Sequence, residues 1–408
     1  MALRGHRTKR DEHLSLSGPS TRYDGNFSSL AIPNCLTMHF SLEALKTLSK
    51  RLAPHLGPAP AIGLYLGKSA VNLVQMEQTA SGARIRAMAA LPLEGAREAL
   101  AERPREFKAL LQSAFKAYPF VGKRVVSSLS NKDVKISTMS FRRQPGQSDD
   151  EALVVALRER MPDELDDTVV DFMSLRPAES EAEQGEALVA LASRTKVTEY
   201  LDQLTAIGLE AVALDVGPNA LSRLVRHSGA QHWREFPKLP NALLINVGLN
   251  ASFLSVIWGR RLILDRQVSF SEGALVSRLQ KVLEMPEALA LHLLHELESS
   301  GNAAESQSTV LELLRPEMAV LLQEINKTLV YMASKTRGKS VDVIYLAGSA
   351  ARYPSLLNGF QSQLQVPVVP LEPVSLFAHD ARIRPQLGLR PGIVLATGLA
   401  LREVRELG

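Results

Sequence analysis

Two stretches of the chain combine a glycine with small or polar neighbours between apolar runs. The first contains Gly67, Lys68 and Ser69, and the second contains Gly248. In each stretch an apolar run precedes the glycine and alternating apolar residues follow it, which predicts a β-hairpin with a tight turn. A glycine turn brings backbone N–H groups close to a ligand, and phosphate is the usual ligand of such turns. From these residues alone, two unrelated structural hairpins are at least as good an interpretation.

Other arrangements of reactive side chains give weaker evidence for a functional site. The Gly-Lys-Ser triplet resembles the end of a P-loop, but the first glycine of that motif is missing at its required position and a strand pattern follows instead of a helix. His292 and His295 lack the His-Glu-x-x-His spacing, so we interpret them as surface residues of an amphipathic helix. Asp215 ends an apolar run and is followed by Gly217 and a helical pattern, which favours a strand-to-helix corner over a ligand site.

The apolar periodicities predict an α/β chain. Residues 122–215 give the order β-β-α-β-β-α-β, which we interpret as a small α/β unit inserted before the second hairpin. Within it, Arg124–Leu129 and Val134–Phe141 are predicted to pair with each other across a short turn. The pattern further predicts a helix over 309–337, a buried strand over Val341–Ala347 that leads into Gly348 and Ser349, and a final helix over Gly392–Arg402.

Composition is ordinary for a globular protein. The 408 residues are 45% hydrophobic and 22% charged, and the net charge of +4 argues only weakly for nucleic acid, which we do not expect as a partner. Cys35 is the only cysteine, and no apolar run reaches the roughly 20 residues of a membrane span, so we place the chain in the cytoplasm. Residues 1–37 are predicted to be a disordered extension, and 38–60 a helix and linker.

Several segments together resemble the PilM family, the cytoplasmic actin-like proteins of type IV pilus assembly. The segments that carry this resemblance are Ile62–Glu77, Asp171–Phe172, Leu201–Val216, Ala242–Val256, Glu324–Ser334, Leu346–Leu356 and Ala396–Arg402. The resemblance implies an actin-like ATPase fold, α/β with two ribonuclease H-like halves and a small inserted α/β subdomain. It also implies that nucleotide would be contacted by Gly67, Lys68, Ser69, Gly248, Gly273, Gly348 and Ser349.

The chain departs from the family pattern where carboxylates are expected. The family's first loop reads Asp-Ile-Gly-Ser-Ser-Ser-Val-Lys, but here Tyr65 replaces the aspartate and Asn72 the lysine. Asn246 replaces the aspartate of the second loop, and Glu272 replaces the first glycine of a Gly-Gly pair. A phenol and an amide are poor substitutes for a carboxylate ligand of Mg²⁺. We therefore expect a degenerate nucleotide site with no catalytic residue and no metal ligand, in which Mg²⁺ is doubtful and ATP is an open but doubtful ligand.

The resemblance also implies domains and a partner. We expect a first actin-like domain at 61–121, the insert at 122–215, and a second domain at 216–408 whose last helix returns to the first. The implied partner is the N-terminal cytoplasmic tail of a PilN-type inner-membrane protein, so the chain would lie at the inner face of that membrane and reach it only through this partner. The alternatives are an actin-like component of a type II secretion or mannose-sensitive pilus system, an active ATPase or sugar kinase, and a filament-forming protein.

Overall fold

The structure is a computed structural model that describes residues 59–130, 132–161, 167–176, 184–232, 240–259, 261–297, 304–383 and 390–404. The extension predicted for residues 1–37 and the helix predicted after Met38 lie outside these residues. Among the described helices, none is both long and apolar enough to cross a membrane.

The first half of the described chain contains β1 (Ile62–Leu66), β2 (Ala70–Thr79), β3 (Gly82–Pro92), α1 (Ala96–Glu102), α2 (Pro104–Ala117), β4 (Arg124–Ser128), β5 (Val134–Arg142), α3 (Asp149–Arg160), β6 (Thr168–Arg176), β7 (Gln184–Ser193), α4 (Arg194–Ala206), β8 (Glu210–Asp215) and α5 (Gly217–His232). The second half contains β9 (Ala242–Val247), β10 (Ser252–Trp258), β11 (Arg261–Val268), α6 (Glu272–Leu283), α7 (Glu287–Glu296), α8 (Ala304–Lys335), β12 (Val343–Gly348), a 3-10 turn (Ser349–Arg352), α9 (Pro354–Gln361), β13 (Val368–Pro370), α10 (Pro373–Leu376), β14 (Ala378–His379), α11 (Pro391–Ala400) and a last 3-10 turn (Leu401–Glu403).

Two large sheets share one strand pattern. The order is β14-β3-β2-β1-β4-β8 in the first sheet and β11-β10-β9-β12-β13 in the second. Apart from the short edge strand β14, which pairs in parallel with β3, each sheet has two antiparallel pairings followed by two parallel pairings, with β1 and β9 at equivalent positions. Both predicted hairpins are present, since β1 pairs with β2 and β9 with β10. The duplicated α/β arrangement predicted for an actin-like ATPase fold is confirmed.

Helices α5 and α11 pack between the two sheets. Their apolar residues join residues of β2, β9 and β12 in one core, whereas α1, α2 and α4 cover the outer face of the first sheet and α6–α9 that of the second. Glycine permits this close packing: a Cβ atom on Gly63 of β1 would lie 1.9 Å from the carbonyl oxygen of Ala396 in α11. Likewise, a Cβ atom on Gly398 would lie 2.2 Å from the carbonyl oxygen of Ala220 in α5. The backbones therefore touch at both contacts.

The third sheet, with the order β5-β7-β6, forms the small α/β unit together with α3. The prediction that β4 and β5 pair is wrong, because β4 pairs with β1 and β8 in the first sheet and β5 pairs with β7. The physical reason is burial: four of the five β4 residues are buried, as in a central parallel strand, whereas β5 is mostly half-exposed. The predicted insert 122–215 therefore includes β4 and β8, which the pairing assigns to the first sheet, and the third sheet itself spans 134–193.

Candidate functional site

The first glycine turn joins β1 to β2. The Gly67 N–H donates to the carbonyl of Ala70 at 2.9 Å, and a Cβ atom on Gly67 would lie 3.2 Å from the same oxygen. The Lys68 carbonyl accepts from the Gly95 N–H at 2.6 Å, which fixes the back of the turn to the segment before α1. The side chains of Lys68 and Ser69 are exposed. The predicted turn is present, and its contact with a ligand stays a prediction.

The second glycine turn joins β9 to β10 and is bonded to the start of α6. The Gly248 N–H donates to the carbonyl of Ala251 at 3.1 Å. The N–H groups of Glu272 and Gly273 donate to the carbonyls of Gly248 (3.0 Å) and Leu249 (2.8 Å). A Cβ atom on Gly248 or Gly273 would lie 2.5 Å or 2.7 Å from a backbone carbonyl oxygen of this turn. Glycine is therefore required at both positions by the protein's own packing.

Gly348 and Ser349 lie against the same end of β9. Gly348 has φ of +81°, a left-handed value that favours glycine. A Cβ atom there would lie 2.1 Å from the Val247 carbonyl oxygen. Ser349 is buried and its Oγ donates to that carbonyl at 3.3 Å. The structure thus brings Gly248, Gly273, Gly348 and Ser349 together, which we call the second glycine cluster. Within the described ranges, no hydrogen bond joins it to the first turn.

The side chains that replace the expected ionic groups are neutral. Tyr65 is half-buried, and burial raises the pKa of its phenol, an effect that the nearby Arg97 guanidinium partly offsets. Asn72 is buried, and its Nδ2 donates to the carbonyls of Ala70 (3.1 Å) and Tyr65 (3.3 Å), so this amide stabilises the hairpin. Asn246 is partly exposed. A phenol and an amide at these two strand ends are poorer ligands for Mg²⁺ than the carboxylates of the family pattern, so a degenerate nucleotide site stays a prediction.

Asp215 and the pair His292 and His295, for which the sequence analysis favoured no ligand site, have the surroundings predicted for them. As predicted, a corner follows Asp215, since β8 ends there and α5 begins at Gly217. The Asp215 carboxylate is fully buried and accepts from the guanidinium groups of Arg223 (2.8 Å) and Arg402 (3.2 Å). His292 and His295 are exposed on α7, as predicted. Among the described residues, no group of three His, Cys, Asp or Glu side chains could hold a metal ion.

Sequence reasoning missed a buried polar cluster next to the second glycine cluster. The Glu272 Oε1 atom accepts hydrogen bonds from the Tyr353 hydroxyl at 2.6 Å and from Arg352 Nη2 at 2.9 Å. Tyr353 is fully buried, and Glu272 is 8% exposed. The sequence analysis identifies Glu272 only as the replacement of the first glycine of a Gly-Gly pair. The contact joins residues 80 positions apart in the chain, and no local pattern around Arg352 indicates it.

A cavity of about 220 Å³ lies at the base of the small α/β unit. The start of β5, the end of α3, the start of β6 and the end of β7 surround it. Its lining residues are Lys132, Asp133, Lys135, Met161, Thr168, Leu191, Ala192 and Ser193. Charged and apolar residues therefore both line this space. None of the predicted nucleotide-site residues lines this cavity.

Several solved structures are similar to this chain to different degrees. One chain of a structure described as a PilM-PilN type IV pilus biogenesis complex is 24% identical to this chain, with a TM-score of 0.64. The match covers 85% of this chain and 99% of that one. The ethanolamine utilization protein EutJ from Carboxydothermus hydrogenoformans is 13% identical, with a TM-score of 0.42 and coverages of 85% and 90%. MreB5 of Spiroplasma citri bound to AMPPNP is 11% identical, with a TM-score of 0.41 and coverages of 85% and 97%.

The family comparison spans most of the described chain. The profile of the family described as type IV pilus assembly protein PilM matches residues 63–404, from the second residue of β1 to the residue after the last 3-10 turn. Both glycine turns, the small unit and α11 lie inside the match. The chain therefore belongs to the PilM family of type IV pilus assembly proteins.

Proposed function

We propose that the chain is a scaffold of type IV pilus assembly, which binds the cytoplasmic N-terminal tail of a PilN-type inner-membrane protein and does not hydrolyse ATP. The observation that carries the proposal is the family match over residues 63–404. The similar structure described as a PilM-PilN complex supports the choice of partner. Such a role places the chain in the cytoplasm at the inner face of the inner membrane, which it reaches through its partner.

The tail is proposed to bind where the small unit meets the first sheet. The cavity at its base supplies apolar surface from Met161 and Leu191 beside the charged Lys132 and Lys135. Among the described strands, β5 and β6 each pair only with β7, so each leaves one edge without a strand partner. An extended peptide can add to such an edge through main-chain hydrogen bonds and place alternate side chains in pockets. This combination supports a peptide site rather than a packing-only role for the unit.

The test is a titration of a labelled N-terminal peptide from a PilN-type protein. Deleting residues 122–215 would also remove β4 and β8, so a narrower excision is needed. Val134 lies opposite Ala192 in the β5–β7 pairing, which means that a few glycines can replace residues 134–192. We expect saturable binding to the full chain, no change on Mg²⁺ chelation, and loss of binding in the excised protein.

A folding control is built into this experiment. The excised protein should retain the cooperative unfolding of the two large sheets, because its β1, β4 and β8 strands are intact. The variant Lys196→Ala serves as a surface control, since the Lys196 side chain is exposed and lies outside the cavity lining. Unchanged affinity after excision would place the partner site elsewhere and refute this part of the proposal.

The rival function is an active ATPase or sugar kinase of the same fold. The neutral side chains of Tyr65 and Asn246 argue against it, because phosphoryl transfer depends on positioned Mg²⁺ and its charge. We expect no Mg²⁺-dependent phosphate release above background from the purified chain. Steady release that disappears in Gly248→Trp, which would disrupt the second turn, would instead support the enzyme. ATP bound without turnover is compatible with a scaffold, since the exposed Lys68 and Ser69 keep a turn accessible to anions.

A further inference from the structure

Hydrogen bonds around the end of β9 form a closed ring. The Glu272 N–H donates to the Gly248 carbonyl at 3.0 Å, and the Glu272 carboxylate accepts from Arg352 at 2.9 Å. Arg352 Nε donates to the Ser349 carbonyl at 3.4 Å, and the Ser349 Oγ donates back to the Val247 carbonyl at 3.3 Å. Three separate segments, the β9–β10 turn, the start of α6 and the 3-10 turn, are thereby connected by backbone and side-chain hydrogen bonds within the protein itself.

Burial makes the central contact of this ring strong. The Tyr353 ring is fully buried, so its hydroxyl needs an acceptor, and Glu272 supplies one at 2.6 Å. The Arg352 guanidinium lies 5.4 Å from the centre of the Tyr353 ring, and the His295 ring stacks on the same tyrosine at 6.5 Å. Hydrogen bonds to an ionised carboxylate are shorter and stronger than neutral ones, particularly away from bulk water.

We propose that Glu272, Arg352 and Tyr353 form an internal latch that holds the second glycine cluster in one closed arrangement without any ligand. The ring includes Gly248 and Ser349, two of the residues predicted to contact nucleotide in this half, and the other two, Gly273 and Gly348, are their neighbours or those of Glu272 in the chain. Glu272 supplies the negative charge at this contact, and its carboxylate accepts one hydrogen bond from Arg352 and one from the Tyr353 hydroxyl. The inference concerns this half of the molecule alone and is independent of whether the chain binds a pilus protein tail.

Hydrogen exchange of the full chain tests the latch. In Glu272→Ala, backbone amides of the β9–β10 turn, the start of α6 and the 3-10 turn should exchange together, on the order of tenfold to a hundredfold faster. That range corresponds to the loss of a buried hydrogen bond to a charged group. The amide of Tyr353, which donates to the Ala350 carbonyl at 3.2 Å, is a direct reporter. Faster exchange at Glu272 and its sequence neighbours alone, or at none of the three segments, would overturn the proposal.

Two further variants keep the test decisive. Tyr353→Phe removes the hydrogen bonds of the hydroxyl group to Glu272 (2.6 Å) and from Arg352 (3.2 Å) but retains the Glu272–Arg352 ion pair. We therefore expect a smaller acceleration in the same three segments, which is measurable even if Glu272→Ala fails to fold. Glu324→Ala is the matched control, because Glu324 also pairs with an arginine, Arg266, but on α8 and β11. It should leave the three segments unchanged. Addition of ATP to the unmodified chain should not slow their exchange, and ATP-dependent protection there would also refute the latch.

Discussion

Replacement of Asp265 by asparagine should make the stability of the fold less dependent on pH. Asp265 lies on β11 opposite Ser255 of β10, whose buried hydroxyl donates to its Oδ1 at 2.6 Å. Burial raises the pKa of the Asp265 carboxyl to about 7, although the Ser255 hydrogen bond acts in the opposite direction. The described contacts of the carboxylate include no cation that would offset its burial.

The direction of the pH dependence follows from how many protons the folded and unfolded chains bind. Between about pH 4 and pH 7 the unfolded chain loses the Asp265 proton while the folded chain retains it, so the free energy of unfolding falls as pH rises through this window. A change in pKa from 3.8 to about 7 corresponds to at most about 4 kcal/mol. Because part of the side chain reaches solvent, we expect about 2 kcal/mol. The contribution is complete at pH 4 and absent above about pH 7.

Urea unfolding at pH 5, 6, 7 and 8 measures this effect. The stability of Asp265→Asn relative to the unmodified chain should rise by about 1 kcal/mol across the series, because asparagine never ionises and the rest of the change falls below pH 5. Asp380→Asn is the matched control: Asp380 is exposed, and its hydrogen bonds with Arg382 lower the pKa of its carboxyl to about 2, below the tested range. A stability difference for Asp265→Asn that stays constant from pH 5 to pH 8 would refute the reasoning.

Two further predictions concern the packing between the halves. Gly63→Ala should lower the free energy of unfolding by about 3 kcal/mol, because its Cβ atom would meet the α11 backbone, whereas Gly217→Ala meets only a leucine methyl group at 3.6 Å and should change it little. Equal unfolding midpoints for the two variants would contradict the close approach. Arg223→Met should cost about 3–5 kcal/mol by leaving the buried Asp215 carboxylate short of a partner, compared with less than about 1 kcal/mol for Lys196→Met at an exposed ion pair. Denaturant titration compares these two, and similar losses would refute the structural role of Asp215.

Both hairpins could be predicted because their information is local. A strand, a turn glycine and a returning strand with alternating apolar residues lie within about fifteen residues, and β1–β2 and β9–β10 match this pattern. The partner of β4 is different, because its parallel neighbours β1 and β8 lie far away in the chain. Sequence proximity favoured β5, and the burial of nearly all β4 residues, which is typical of a central strand, is visible only in the structure.

The candidate site divides in the same way. Gly248 and Gly348 could be identified from their strand-end positions, and the structure adds the physical reason that a Cβ atom would collide with backbone carbonyl oxygens. The contact of Glu272 with Arg352 could not be predicted, because side chains that meet across 80 residues of chain leave no periodic signal. The family resemblance located the loops in the sequence. It did not indicate which residues are contacted by the side chains that replace the usual ones.

The two halves retain their turns by different means, and this difference bears on function. Tyr65 and Asn246 occupy matching positions, two residues before Gly67 and Gly248, so the same class of charge is missing from both strand ends. In a catalytic site, charged side chains remain available to interact with the substrate or the metal ion. Here the Glu272 carboxylate at the second glycine cluster is hydrogen-bonded to a neighbouring tyrosine and arginine. Donors and acceptors that hydrogen-bond to one another stabilise the protein without a ligand. A ligand that displaced these bonds would gain less binding free energy. A scaffold that holds a partner requires a stable fold without a ligand, but it does not require a site that gains free energy from binding nucleotide.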